Sequence, residues 1–272
     1  MNDLIIVRGG GDLATGTIYK LYKSGFSVLV LEIAHPSAIR RNVSFCEAIY
    51  QGTQTVEDVT CVLADSLDSA VSLLEQGKLT MLVDPCGAAI SRLKPLAVVD
   101  AILAKRNLGT HKNMAPITVA LGPGFTADVD VDAVIETKRG HNLGRVIWSG
   151  SAIPNTGIPG IIGGYGKERV IHSPAEGILR NICKITDIVK AGDRIVEIET
   201  PTGNVPVLAT IDGLLRGLIR DGYPVTAGFK IADIDPRVDE INNCFTISDK
   251  SRCIAGGVLE AIMHLMHSKG RI

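Results

Sequence analysis

Residues 4–16 read Leu4-Ile5-Ile6-Val7-Arg8-Gly9-Gly10-Gly11-Asp12-Leu13-Ala14-Thr15-Gly16. Leu4 to Val7 has the composition of a short buried strand, and the amphipathic run Leu13 to Lys23 has helical spacing. Between them, Gly9-Gly10-Gly11-Asp12-Leu13-Ala14 fits G-x-G-x-x-G/A. A glycine turn leading from a strand into a helix leaves backbone N–H groups and the positive end of the helix dipole facing outward, where they can receive a phosphate. A second strand, Val28 to Leu31, follows and ends at Glu32, 21 residues beyond Gly11, where a carboxylate can accept hydrogen bonds from a ribose 2′-hydroxyl. Gly9, Gly10, Gly11, Asp12, Leu13, Ala14, Thr15 and Glu32 are therefore the candidate cofactor-binding residues. Asp12 places negative charge near a pyrophosphate, and Ala14 is the weaker variant at its position, so the same loop also fits a turn that only lets strand and helix pack.

Outward from this unit the pattern continues with strand-like runs at Cys61 to Ala64, Leu79 to Val83 and Ile117 to Leu121, separated by helical patterns at Leu67 to Glu75 and Leu96 to Lys105. That alternation predicts a Rossmann-like parallel sheet with helices on its faces, spanning residues 1–150. The apolar run Ile254 to Met263, within a helix at 250–266, is expected to return and complete this domain, with Gly256 and Gly257 allowing a neighbouring backbone to approach.

After about residue 125 strands follow one another without helices, and a Gly/Pro-rich segment, Ile153 to Gly166, reads as a linker. Residues 167–236 carry an internal repeat: Gly177-Ile178-Leu179-Arg180 recurs 36 residues later as Gly213-Leu214-Leu215-Arg216, and Val189-Lys190-Ala191-Gly192 as Val225-Thr226-Ala227-Gly228. Two such halves predict a small two-fold β-barrel sandwich of the biotinyl and lipoyl type. Its hairpin, Glu199 to Asn204, has Thr202 where an acceptor lysine is expected, so covalent carriage of a prosthetic group is disfavoured.

Composition narrows the function. The formal net charge is -1, from 28 basic and 29 acidic side chains, and aromatic residues are 4%, which argues against nucleic acid as a partner. No Cys-x-x-Cys pair occurs among the six cysteines, and the six histidines show no metal-ligand spacing, so neither a zinc knuckle nor another metal site is expected. The amino-terminal run is interrupted by Asp3, unlike a signal peptide, and no apolar stretch reaches the ~18 residues of a membrane span. A soluble, cytoplasmic protein with reduced thiols is expected. Asp84-Pro85-Cys86-Gly87 follows a strand, and Cys86 is the candidate nucleophile or soft ligand; an inert buried thiol is the competing reading. Gly122-Pro123-Gly124-Phe125 favours a turn, and the loop Arg139 to Arg145 fits either an anion clamp or a solvated hairpin.

The Gly9 to Gly16 loop, Asp84-Pro85-Cys86-Gly87, Gly122-Pro123-Gly124-Phe125-Thr126-Ala127, the Arg139 to Arg145 loop, Asp235-Pro236-Arg237 and the Ile254 to Ile262 helix together resemble the selenium-dependent molybdenum hydroxylase accessory proteins, the YqeB family. That resemblance implies a maturation factor whose partner is a molybdenum hydroxylase and whose ligand is a molybdopterin-type cofactor; the glycine loop and Glu32 by themselves fit a small phosphorylated ligand such as an NAD-like dinucleotide. It also implies a role for Cys86 in handling selenium or sulfur. An NAD-dependent oxidoreductase is the main alternative, and a non-catalytic nucleotide-binding scaffold a third.

Overall fold

The structure is a computed structural model that describes residues 3–157 and 160–270; Ile158 and Pro159 of the predicted linker lie outside the described residues. The chain divides into two units, one made of residues 1–36, 44–156 and 247–272, the other of residues 37–43 and 157–246.

The first unit is built on strands β1 (Leu4–Arg8), β2 (Ser27–Glu32), β3 (Thr53–Val56), β4 (Val59–Ala64), β5 (Leu79–Val83), β6 (Ala97–Asp100), β7 (Ile117–Leu121), β8 (Thr126–Ala127), β9 (Ala133–Ile135), β10 (Val146–Ile147) and β11 (Gly150–Ser151). Its helices are α1 (Asp12–Lys23), α2 (Ala48–Gln51), α3 (Leu67–Glu75), α4 (Ala88–Leu93) and α5 (Asp249–Ser268). All of these strands except the β8–β11 pair form one sheet of order β10-β9-β7-β6-β1-β2-β5-β4-β3.

The order and directions correct the expected Rossmann-like parallel sheet. The sheet is mixed: β3 pairs antiparallel with β4 at one edge, and β10 antiparallel with β9 at the other. After β2 the chain does not step outward to the next slot. It forms the β3–β4 hairpin and returns through α3, so that β5 lies between β2 and β4. No α-helix joins β6 to β7 or β7 to β9 among the described residues. The helix predicted from Leu96 to Lys105 is instead the strand β6 and a loop. Ala97 to Asp100 is buried between β1 and β7, a position that selects an unbroken apolar run without alternation. Leu103 and Lys105 then take left-handed backbone angles, φ 60° and 62°, which end any helix.

Helix α1 starts directly after Gly11, with Asp12 in its first turn and Lys20 and Lys23 in its last, the charge order that its dipole favours. It crosses α5 at Gly16, where a Cβ would lie 2.3 Å from Ser251 Oγ; the Ser251 hydroxyl in turn reaches the α1 carbonyls of Asp12 and Leu13. On the other face of the sheet, Leu4 and Ile6 of β1, Leu29 and Leu31 of β2 and Val98 of β6 pack with Ala70 and Leu74 of α3 and Ile90 of α4.

The second unit contains β12 (Val170–His172), β13 (Gly177–Asn181), β14 (Ile188–Val189), β15 (Arg194–Thr200), β16 (Gly203–Leu208), β17 (Gly213–Leu218), β18 (Pro224–Val225) and β19 (Lys230–Asp235). They form two antiparallel four-stranded sheets, β12-β19-β17-β14 and β16-β15-β13-β18. The lipoyl-like barrel expectation is corrected as well: among the described residues no strand belongs to both sheets, and each sheet keeps two open edges, whereas a barrel closes its hydrogen bonding. The short strand β14 pairs with β17, and β18 pairs with β13, so each 36-residue repeat completes a sheet of the other. Leu179, Ile195, Ile198, Leu214, Ile231 and Ile234 share one core.

Candidate functional site

In an open α/β sheet, ligands bind at the carboxyl ends of the parallel strands where the strand order reverses direction. Here the chain moves from β1 to β2 on one side and later places β6 on the other, so the reversal lies between β1 and β6. The glycine loop leaves β1 at this point. Gly9 has φ +96°, and a Cβ there would lie 2.9 Å from the Ala101 carbonyl oxygen beyond β6, so only glycine fits. Gly10 is equally enclosed, by Met81 Cε at 2.8 Å and the Cys46 nitrogen at 3.1 Å. Gly11 differs: a Cβ there would meet nothing within 4 Å, and as N-cap of α1 it offers no side chain to cover the first-turn N–H groups.

Glu32 ends β2 beside this loop. Its Oε2 accepts the Gly10 N–H at 2.8 Å and its Oε1 the Ile33 N–H at 2.8 Å. Burial raises the Glu32 pKa, against the lowering effect of the Ile33 and Gly10 hydrogen bonds. A carboxylate has about four acceptor positions, so two remain for a ligand hydroxyl or amine. Ile33 and Val83, the residue paired with Glu32 in β5, are exposed and give the rim an apolar surface.

The structure therefore brings Gly9, Gly10, Gly11 and Glu32 together. Ala14 is buried in α1, Leu13 gives its carbonyl to Ser251, and Asp12 lies in the first turn. The Thr15 hydroxyl is occupied inside the fold: it donates to the Gly11 carbonyl at 2.9 Å and accepts the Phe45 N–H at 3.0 Å. Cys86 is exposed in the turn after β5. Its neighbour Asp84 caps α4, accepting the Ala88 and Ala89 N–H groups at 3.0 and 2.8 Å. Arg139 forms a two-pronged pair with Asp249 of α5, 2.6 and 3.0 Å, which leaves the Arg139 to Arg145 loop without an open clamp at that residue. At Gly122 and Gly124 a Cβ would lie 2.6 Å from Thr137 Oγ1 and from the Arg106 backbone, so both serve a tightly packed turn.

A buried polar group at the β1/β6 reversal escaped the sequence reading. Arg8, the last residue of β1, is 4% exposed and stands in register with Asp100, the last of β6. Arg8 Nη1 donates to Thr110 Oγ1 at 2.5 Å, and Thr110 Oγ1 donates to Asp100 Oδ2 at 2.6 Å. The direct Arg8–Asp100 separation is 3.8 Å. Burial raises the Asp100 pKa, opposed by the hydrogen bonds from Thr110 and Ile102 and by Arg8. The available signal was that two strand runs, Leu-Ile-Ile-Val-Arg and Ala-Val-Val-Asp, each end on a charge of opposite sign.

A shallow groove elsewhere on this unit is lined by Tyr19, Lys20, Lys23, Ile247 and Arg252 and includes none of these strand-end residues. Lys23 and Arg252 are already paired there, with Asp58 and Glu57. Among the described residues no group of three or more His, Cys, Asp or Glu is placed to hold a metal ion, and no helix is long and apolar enough to cross a membrane.

Comparison with known proteins gives a homologue. Over 266 residues, 98% of this chain, the sequence is 52% identical to the uncharacterized protein YqeB of Escherichia coli (strain K12). The chain is a relative of YqeB. It spans 48% of that protein's length, so the YqeB match covers about half of the larger molecule. No family model matches the chain. Among solved structures, an aspartoacylase family protein from Mesorhizobium loti aligns with 85% of this chain and 84% of its own, at 13% identity and TM-score 0.29. The ectoine utilization protein EutE (DoeB) from Ruegeria pomeroyi aligns with 85% of this chain and 56% of its own, at 13% identity and TM-score 0.24. At those scores neither likeness carries an argument about this chain.

Proposed function

We propose that the crevice at the carboxyl ends of β1, β2 and β5 binds a phosphorylated, ring-bearing small molecule, a nucleotide or a molybdopterin-type cofactor, and that the chain serves the maturation of a selenium-dependent molybdenum hydroxylase. The observation that carries the binding part is the open position at Gly11 between the start of α1 and the Glu32 carboxylate. A phosphate placed there meets uncapped backbone N–H groups and the helix dipole. The exposed Ile33 and Val83 offer an apolar surface for a flat ring, and Glu32 has acceptor positions for its hydroxyl or amine groups. The maturation part is supported by the sequence resemblance, and Cys86, exposed at the neighbouring turn, is the side chain this reading gives to selenium or sulfur.

The test is to purify the protein without added ligand, denature it and identify released small molecules by mass spectrometry. A molybdopterin or its nucleotide form supports the proposal and makes the hydroxylase the partner to assay with Cys86→Ser. NAD or a flavin alone would put an oxidoreductase in its place.

A further inference from the structure

Along β1 the residues Leu4, Ile6 and Arg8 fall on one face of the sheet, since strand side chains alternate. Leu4 and Ile6 join the core under α3 and α4, and the row then ends on a guanidinium. Arg8 is 4% exposed, yet only Nη1 is engaged, by Thr110. Asp100 does not take the rest: its carboxylate comes no closer to the guanidinium than the 3.8 Å between Oδ2 and Nη1, beyond hydrogen-bond distance. Arg8 Nε and Nη2 therefore have no hydrogen-bond partner among the described residues, and neither is among the fully buried atoms left unpartnered, so both keep an opening to solvent.

These two groups are not an arbitrary pair. Nε–H and Nη2–H point the same way and form the side-on fork of a guanidinium, whose spacing matches two oxygens of a carboxylate or phosphate. The turn at Gly87 runs beside the fork: a Cβ on Gly87, φ +74°, would stand 3.8 Å from Arg8 Nε and 3.1 Å from Ile90 Cδ1. A guanidinium fork that is 4% exposed keeps little of the hydration it had in the unfolded chain, a loss that an incoming oxyanion offsets.

We propose that Arg8 is an oxyanion anchor, binding one phosphate or carboxylate group through its Nε/Nη2 edge beneath the Asp84–Gly87 turn. This deepens the crevice reading and rests on it. The ligand then carries a second oxyanionic group besides the one received at Gly11, as a diphosphate or a phosphorylated acid does.

Calorimetric titration of inorganic phosphate and of pyrophosphate into the wild type, Arg8→Lys and Gly11→Asp tests the anchor. Aspartate is a favourable N-cap, so Gly11→Asp folds while its carboxylate repels phosphate from the start of α1. The expected result is phosphate binding that weakens about tenfold or more in Arg8→Lys, which keeps the charge but not the fork, and that survives in Gly11→Asp. Equal phosphate affinity in wild type and Arg8→Lys overturns the anchor. If Arg8→Lys does not fold, the arginine Nε–H resonances of the 15N-labelled wild type decide: a shift on adding phosphate that persists in Gly11→Asp supports the proposal, and no shift overturns it. A nucleotide or pterin that binds in a Gly11-dependent, Arg8-independent manner removes the anchor and leaves the crevice reading standing. Arg8-dependent phosphate binding with no nucleotide or pterin ligand does the reverse.

Discussion

Arg8 and Asp100 stand opposite one another at the ends of β1 and β6, but the hydroxyl of Thr110 lies between their charges, accepting from one and donating to the other. All three residues are buried, so water has little access to the bridge between the two charges. Thr110→Val keeps the shape and removes the hydroxyl. Hydrogen bonds to charged groups contribute about 1.5–3 kcal/mol each. Urea denaturation is expected to give a loss of about 3 kcal/mol for Thr110→Val, largely restored in Thr110→Ser. Equal stability of all three proteins would show that the bridge carries no weight.

Glu32 links stability to pH. Burial raises its pKa in the folded protein above the ordinary 4.5, so between those two values the native state holds more proton than the unfolded chain. Its contribution is most favourable below the unfolded pKa, declines as pH rises through the window above 4.5, and is level beyond the raised value. The difference in unfolding free energy, wild type minus Glu32→Gln, should therefore fall with rising pH across that window. A difference that climbs with pH contradicts the assignment of the shift to burial.

Two adjacent glycines in α5 should respond in opposite ways. A Cβ at Gly257 would lie 2.0 Å from the Gly144 carbonyl oxygen, while at Gly256 it would meet nothing within 4 Å. Alanine is favoured over glycine in a helix by about 1 kcal/mol. Gly256→Ala should raise the melting temperature, and Gly257→Ala should lower it because α5 has to move off the 144 loop. The same sign for both substitutions would mean that this close approach is not retained in solution.

In the second unit Asp233 accepts from Arg169 at 2.9 Å and is also paired with Arg216. Arg169 and Asp233 are both buried, and removing the carboxylate leaves one guanidinium deep in the fold without its counter-charge. Asp233→Ala is expected to cost about 3–5 kcal/mol in denaturant unfolding. A loss near zero would place this pair with the weak surface ion pairs.

Most individual elements of the first unit can be found in the sequence. Leu4 to Val7, Cys61 to Ala64, Leu79 to Val83 and Ile117 to Leu121 lie within or coincide with strands, and Leu67 to Glu75 coincides with α3. Their arrangement could not be found in the same way. Ala97 to Asp100 is apolar enough for a helix or a buried strand, and only its place between β1 and β7 decides. The insertion of β5 between β2 and β4 is a long-range pairing that leaves no local mark. For the site, Gly9 to Gly11 and Glu32 announce themselves by spacing. Arg8, Asp100 and Thr110 do not, because Thr110 comes from a loop whose path is fixed by Asn107, which holds the Thr110 N–H and carbonyl at 2.8 Å each.

The composition of the first unit from residues 1–36, 44–156 and 247–272 has a consequence for synthesis. During translation the sheet has been synthesised when residue 156 is added, but the partner of α1 has not. About ninety further residues must be made before α5 arrives, which at 5–20 residues per second is roughly 5–20 seconds. Throughout that interval the side that α5 will cover stays open. The intervening unit folds only when its second repeat supplies β17 and β18 to the first. Folding of the first unit therefore waits on α5, and its yield in a cell should depend on elongation rate and on holdase capacity more than its equilibrium stability alone would suggest.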